Sequence, residues 1–236
     1  MKLLYLIPGS AGPGFDMDEV KRREGILQGM ASPGTLVTAD VSGEGPLSIE
    51  SAVDEANSVP SMIKKAVIAE SEGYDGIIVG CAGDPGLECL KEAVRIPVVG
   101  PAQVSYAYAS LIGRRFSVIT PVDSCIGTTI DLIRKYGFND NCVSIRSAGI
   151  SVLDITKDPK IAEKKTREQS IIARDTDGAD CIALGCMSLA FAGFDEELSG
   201  ELGIPVINPL KTALYTLEDM VKMKLSQSMK AYPHRG

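Results

Sequence analysis

The sequence predicts an α/β fold of two similar, pseudo-symmetric lobes, each a parallel sheet flanked by helices. Two observations carry this. Short apolar or β-branched runs alternate with longer helical patterns, as successive βαβ units do. In addition, two segments read alike at a spacing of 105 residues (81 to 186). In one, Tyr74-Asp75-Gly76-Ile77-Ile78-Val79-Gly80-Cys81 leads through Arg95-Ile96-Pro97-Val98-Val99-Gly100-Pro101 into an apolar helix. In the other, Ala179-Asp180-Cys181-Ile182-Ala183-Leu184-Gly185-Cys186 leads through Gly203-Ile204-Pro205-Val206-Ile207-Asn208-Pro209 into another.

In chain order, Leu3 to Ile7 reads as a first strand, because its apolar run is cut by Pro8 and Gly9. The loop Gly12-Pro13-Gly14 lacks the spacing of a phosphate-binding loop. Further strands are expected at residues 35–41, 76–80, 98–99, 116–119, 142–147, 181–185 and 206–207. Helices are expected at 16–30, 50–72, 86–94, 103–111, 124–136, 160–177, 195–202 and 210–226. Asp84-Pro85-Gly86 reads as a cap and turn at a helix start, and residues 160–174 as a charged, solvated helix face. Phe191 and Phe194 read as core, and residues 232–236, with the sole histidine His234, as a frayed tail. Leu6-Ile7-Pro8-Gly9-Ser10 resembles Ile119-Thr120-Pro121-Val122-Asp123-Ser124, so each half opens with a like strand. The first lobe is expected over residues 1–112, with the C-terminal helix 209–232 packing back on it, and the second over 113–208.

Composition excludes several functions. A formal net charge of −7 opposes the basic face that phosphate contacts require, so no nucleic-acid partner is expected. No stretch approaches the roughly 20 apolar residues that span a bilayer, and the N-terminal run is too short for a signal sequence. A cytoplasmic protein without a membrane partner is expected. The six cysteines, at 81, 89, 125, 142, 181 and 186, form no CxxC pair, which disfavours zinc or dithiol redox chemistry. No metal is expected.

Free cysteines are usually small core residues. Cys81 and Cys186 differ, since both follow a glycine at the end of an apolar strand, at matching places in matching halves. In open parallel sheets ligands bind beyond the carboxyl ends of the strands, so two facing lobes would bring both thiols to one cleft. A thiolate and a thiol on opposite faces of a carbon acid are the base and acid that racemisation needs. Amides of Ala82, Gly83, Met187 and Ser188, at an expected strand-to-helix turn, are candidates to lower the thiol pKa and hold a developing oxyanion. Ser10 and Thr120 are candidates to hydrogen-bond substrate oxygens, with capping or turn formation as the alternative. Cys89, Cys125, Cys142 and Cys181 lack the symmetry and read as structural.

Gly80-Cys81-Ala82-Gly83-Asp84-Pro85-Gly86-Leu87 resembles the first cysteine motif of hydantoin and allantoin racemases, within the aspartate/glutamate/hydantoin racemase superfamily, and Leu184-Gly185-Cys186 resembles the second. The resemblance spans Leu3 to Leu217. It implies a site between the two lobes, Cys81 and Cys186 as catalytic pair, no cofactor, a small-molecule substrate and a homo-oligomer. Ala82-Gly83 replaces the Asn-Thr with which glutamate and aspartate racemases grip a carboxylate, and Met187-Ser188 stands where glutamate racemases commonly carry Thr-His. The first departure points away from free acidic amino acids, the second removes a histidine helper, and a hydantoin-like ring or related small amide is the expected substrate. The opening Ile7-Pro8-Gly9-Ser10-Ala11-Gly12 differs from the Asn-Pro-Asn-Thr-Ser of hydantoin racemases, and Ala82 stands where they carry an aromatic, so an altered pocket is expected. Alternatives are a maleate isomerase or aspartate/glutamate racemase of the superfamily, a non-catalytic two-lobed binding protein, or a thiol redox sensor. Arylmalonate decarboxylases keep only one such cysteine, which counts against that activity.

Overall fold

Four-residue runs with no polar side chain, such as Gly76–Val79 and Cys181–Leu184, can be strands only where both sheet faces are covered. In the computed structural model, which describes residues 1–234, every residue of both runs is buried. Each is an inner strand of its own four-stranded parallel sheet.

The chain divides into two units, residues 1–101 with 213–236 and residues 102–212. The first contains β1 (Lys2–Ile7), α1 (Met17–Met30), β2 (Leu36–Val41), α2 (Ala52–Ser71), β3 (Gly76–Val79), α3 (Leu87–Ala93) and β4 (Val98–Val99). Next come α4 (Pro101–Ile112), β5 (Phe116–Thr120), α5 (Ser124–Tyr136), β6 (Cys142–Ser147), α6 (Val152–Lys157), α7 (Pro159–Asp175), β7 (Cys181–Leu184), α8 (Met187–Ala192), α9 (Asp195–Leu202), β8 (Val206–Ile207) and α10 (Pro209–Lys222). The sheet orders are β2-β1-β3-β4 and β6-β5-β7-β8, which is one topology used twice.

The repeat extends to single hydrogen bonds. Leu6 pairs with Val79 in the first sheet and Ile119 with Leu184 in the second. The Asp75 amide donates to Lys2 O and the Asp180 amide to Arg115 O, both at 2.7 Å. The same aspartates accept from the amides that open β1 and β5, Lys2 N at 2.7 Å and Arg115 N at 3.0 Å. Asp180 also accepts from Arg114 N. These carboxylates satisfy strand-end donors that would otherwise lack a protein partner.

Helix α4, expected with the first lobe, lies in the second unit from Ala102 onward. The reason is aromatic packing: Tyr106 stacks on Phe116 with centroids 5.6 Å apart, and Phe138 meets both rings edge-on at 6.3 Å. From Ala213, α10 and the segment after it belong to the first unit. There Gln227 bridges Val94 O, Ile96 O and Val98 N, and Glu218 accepts from Ser32. The tail does not fray through His234, because Tyr232 N bonds Ser228 O and the His234 ring meets Glu92 O at 3.1 Å. Arg235 and Gly236 lie outside the described residues. Helices α6 and α8 were not expected. Among the described residues no helix is long and apolar enough to cross a membrane.

Candidate functional site

In a parallel sheet of this order the chain leaves β1 toward β2 on one side and returns to β3 on the other, so β1 and β3 flank the switch point where ligands bind. Ser10 follows β1 and Cys81 follows β3. In the second unit Thr120 ends β5, and Cys186 follows β7, beside it. Each cysteine stands two residues beyond the strand residue paired in register, Val79 with Leu6 and Leu184 with Ile119. The equivalence seen in the sequence is therefore an equivalence of position within each sheet.

Each preceding glycine is required by space. The Gly80 amide donates to Leu6 O at 2.7 Å and that of Gly185 to Ile119 O at 2.8 Å. A Cβ on Gly80 would lie 2.7 Å from Leu6 O and 2.9 Å from Ile7 Cα. On Gly185 it would lie 2.9 Å from Val118 Cγ1 and 3.1 Å from Ile119 O. Neither glycine has the positive φ of a tight-turn residue. A side chain would push the strand end, and with it the cysteine, away from its neighbour.

The Cys81 half is irregular and in part exposed. Its thiol is half-buried and accepts from the Gly83 amide at 3.4 Å, and Asp84 N closes the turn onto Cys81 O at 3.1 Å. Helix α3 begins only at Leu87, capped by Gly86 in the left-handed region without a side-chain bond. The sulfur is therefore met by a turn amide and not by the expected helix N-terminus. Asp84 has φ +49° and does not cap the helix; its carboxylate lies against Gly100. Ala82 is buried. The Gly80 carbonyl accepts from the buried Tyr5 hydroxyl at 3.2 Å, which fixes the peptide leading into Cys81. Ser10 N and Oγ donate to Pro46 O and Gly45 O at 3.2 and 3.0 Å.

The Cys186 half is buried and regular. Cys186 is 7% exposed and is itself the N-cap residue of α8, its carbonyl accepting from Ala190 N. Met187 and Ser188 are buried in the first turn. The far end of α8 is clamped where Asn208 Nδ2 donates to Ala190 O at 3.1 Å and to Asp195 at 2.9 Å, with Lys211 on Asp195 at 2.7 Å. Thr120 is fully buried, and its hydroxyl lies 3.3 Å from both Val122 O and Arg146 O. The hydroxyl hydrogens of Ser10 and Thr120 thus point at backbone carbonyls, and each oxygen keeps lone pairs with which to accept.

The remaining cysteines separate on physical grounds. Burial pushes the Cys142 thiol up to about 11 and that of Cys181 to about 12, with the Asp180 charge adding to the second, so both stay protonated at neutral pH. Cys89 is exposed on α3, and Cys125 is half-buried in the first turn of α5. Among the described residues no group of three or more His, Cys, Asp or Glu could hold a metal ion. Sequence reasoning missed Tyr5 and Glu55. The Glu55 carboxylate reaches the Cys81 turn, where a Cβ on Gly83 would lie 3.1 Å from Glu55 Oε1 and 3.6 Å from Cys81 Sγ. Nothing in the sequence marks either residue, since their places follow from packing alone.

Comparison with known proteins agrees with this arrangement. Residues 20–216 match the family described as Asp/Glu/Hydantoin racemase. A hydantoin racemase of Pseudomonas sp. (strain NS671) is 33% identical over 223 residues, covering 94% of this chain and 89% of that protein. One from Rhizobium meliloti is 34% identical over 79% of this chain and 77% of its own length. Among solved structures, allantoin racemase from Klebsiella pneumoniae superposes with a TM-score of 0.90 at 27% identity, covering 100% of this chain and 95% of that one. With two cysteines at equivalent strand ends, a matching family model over most of its length and relatives of this similarity that are named racemases, the chain belongs to the Asp/Glu/hydantoin racemase family.

Proposed function

We propose that this protein racemises a small carbon acid next to a carbonyl, of the hydantoin or allantoin kind, with Cys81 and Cys186 as its acid and base. One observation carries the reading: two Gly-Cys strand ends occupy the same register in two sheets of the same topology. In this mechanism one cysteine, as thiolate, takes the α-proton from one face. The C–H electron pair moves into the carbonyl as an enolate, and the other thiol returns a proton to the opposite face. The protonation states of the pair are then exchanged, and the reverse reaction restores them. The Gly83 amide, which donates to the Cys81 sulfur at 3.4 Å, supports this role.

Enantiopure 5-substituted hydantoins, allantoin, aspartate and glutamate are the substrates to try, followed by polarimetry. The expected result is loss of rotation with a hydantoin or allantoin, falling at least about a hundredfold in Cys81→Ser and in Cys186→Ser, the loss that removal of one general acid or base produces. Racemisation that survives either substitution, or no racemisation of any compound, would remove the reading and leave a ligand-binding protein of the same fold.

A further inference from the structure

Asp54 and Glu55 both lie in the first turn of α2, and Asp54 is part of its N-terminal cap. Its carboxylate accepts from Ser51 Oγ at 2.7 Å and Glu50 N at 3.2 Å, while Ser51 Oγ accepts from Asp54 N, a reciprocal cap. The Glu55 carboxylate reaches over the turn that follows Cys81. Its Oε1 and the Cys81 sulfur flank the space beside Gly83, and their separation is less than the two distances together, about 6.7 Å. Any larger residue at 83 would fill that space and touch both groups. The glycine therefore lets a carboxylate and the half-buried thiol border the same small volume.

We propose that Glu55 is a specificity-determining residue, a fixed acceptor and negative charge that makes the Cys81 site take neutral, N–H-bearing substrates and reject carboxylates. This rests on the racemase reading for its substrate class. A hydantoin-like ring offers N–H donors and no carboxylate. A free amino acid or a dicarboxylate would bring a like charge to Glu55, and two like charges at this distance repel even in water. The Ser10 oxygen, on the adjacent strand end, presents lone pairs of the same acceptor character.

The test is the rate of Cys81 alkylation by neutral iodoacetamide and by anionic iodoacetate, read by peptide mass spectrometry with the exposed Cys89 as internal reference. Relative to wild type, Glu55→Gln is expected to raise the iodoacetate-to-iodoacetamide ratio at Cys81 by at least about threefold, the factor for unit charges some 6 to 7 Å apart in water. Glu55→Asp, which keeps the charge, is expected to leave the ratio within about twofold of wild type. Should Glu55→Gln fail to fold by circular dichroism, Glu55→Ala removes the same charge and takes its place. An unchanged ratio in the charge-removing variant overturns the proposal. The reading needs no turnover, so loss of the racemase reading and loss of this proposal are separable. If racemisation is found, kcat/KM for a hydantoin bearing a 5-carboxymethyl group should rise at least about threefold in Glu55→Gln relative to that for 5-methylhydantoin.

Discussion

Cys81 and Cys186 leave equivalent strands at the same register behind glycines that occupy equivalent positions, yet the next six residues differ completely. After Cys81 the chain makes an irregular turn, with a left-handed Asp84 and Gly86, before α3 begins at Leu87. After Cys186 it enters α8 at once. Beneath the glycines the halves also differ, because the residue on the central strand is Tyr5, hydrogen-bonded to Gly80 O, in one and Val118, packed against Gly185, in the other. The strand end, its glycine and its cysteine recur, while the loop beyond is free to change. That division is expected where a rigid scaffold places the reactive atoms and loops shape the pocket.

The comparison can be strained at several depths. The largest effect is expected at the glycines. Gly80→Ala meets backbone on every side and should cost at least about 3 kcal/mol. Gly185→Ala first meets the Val118 side chain, which can shift, and should cost about 1 to 2 kcal/mol. Urea unfolding of the two variants checks the order, and equal losses would mean that the two strand ends are equally rigid.

A smaller difference is expected at the paired aspartates. Asp180→Ala removes the acceptor for two backbone amides and should cost about 1.5 kcal/mol, against about 0.5 kcal/mol for the exposed Asp75→Ala, which frees one. Equal midpoints in urea would show that the second Asp180 bond contributes nothing.

The smallest structural change, a single proton, sorts the thiols. Cys142 and Cys181 are raised to about 11 and 12, so their thiolates become the major form only above those values, and both should resist alkylation at pH 9, where an unperturbed thiol is mostly ionised. Cys81, half-buried, should alkylate faster than Cys186, which is 7% exposed. Ready labelling of Cys181 at pH 9 in the folded protein would contradict its burial.

Much of this architecture was legible in the sequence because it rests on short-range rules. Runs such as Gly76–Val79 can be satisfied only as covered strands, and the Gly-Cys repeat at 105 residues placed both candidate cysteines on equivalent strands. Helices α6 and α8 escaped because six residues are under two turns, too few for a 3.6-residue period to show. The expected helix amides do not meet Cys81 because α3 starts only at Leu87, six residues on, and the turn between brings the Gly83 amide to the sulfur instead. The shift of α4 to the second unit turns on Tyr106 finding Phe116 and Phe138, partners that periodicity does not name. Glu55 and Tyr5 were beyond reach for the same reason.

If Cys81 and Cys186 serve one carbon from opposite faces, as proposed, deuterium exchange in D₂O will separate their two roles. Each enantiomer of an accepted hydantoin is incubated separately with Cys81→Ser and with Cys186→Ser, and the α-hydrogen is followed by NMR. A single remaining base can remove a proton and return deuterium to the same face only. The account predicts exchange without racemisation, of one enantiomer in one variant and of the opposite enantiomer in the other. Exchange of the same enantiomer by both variants, or racemisation by either, would contradict it.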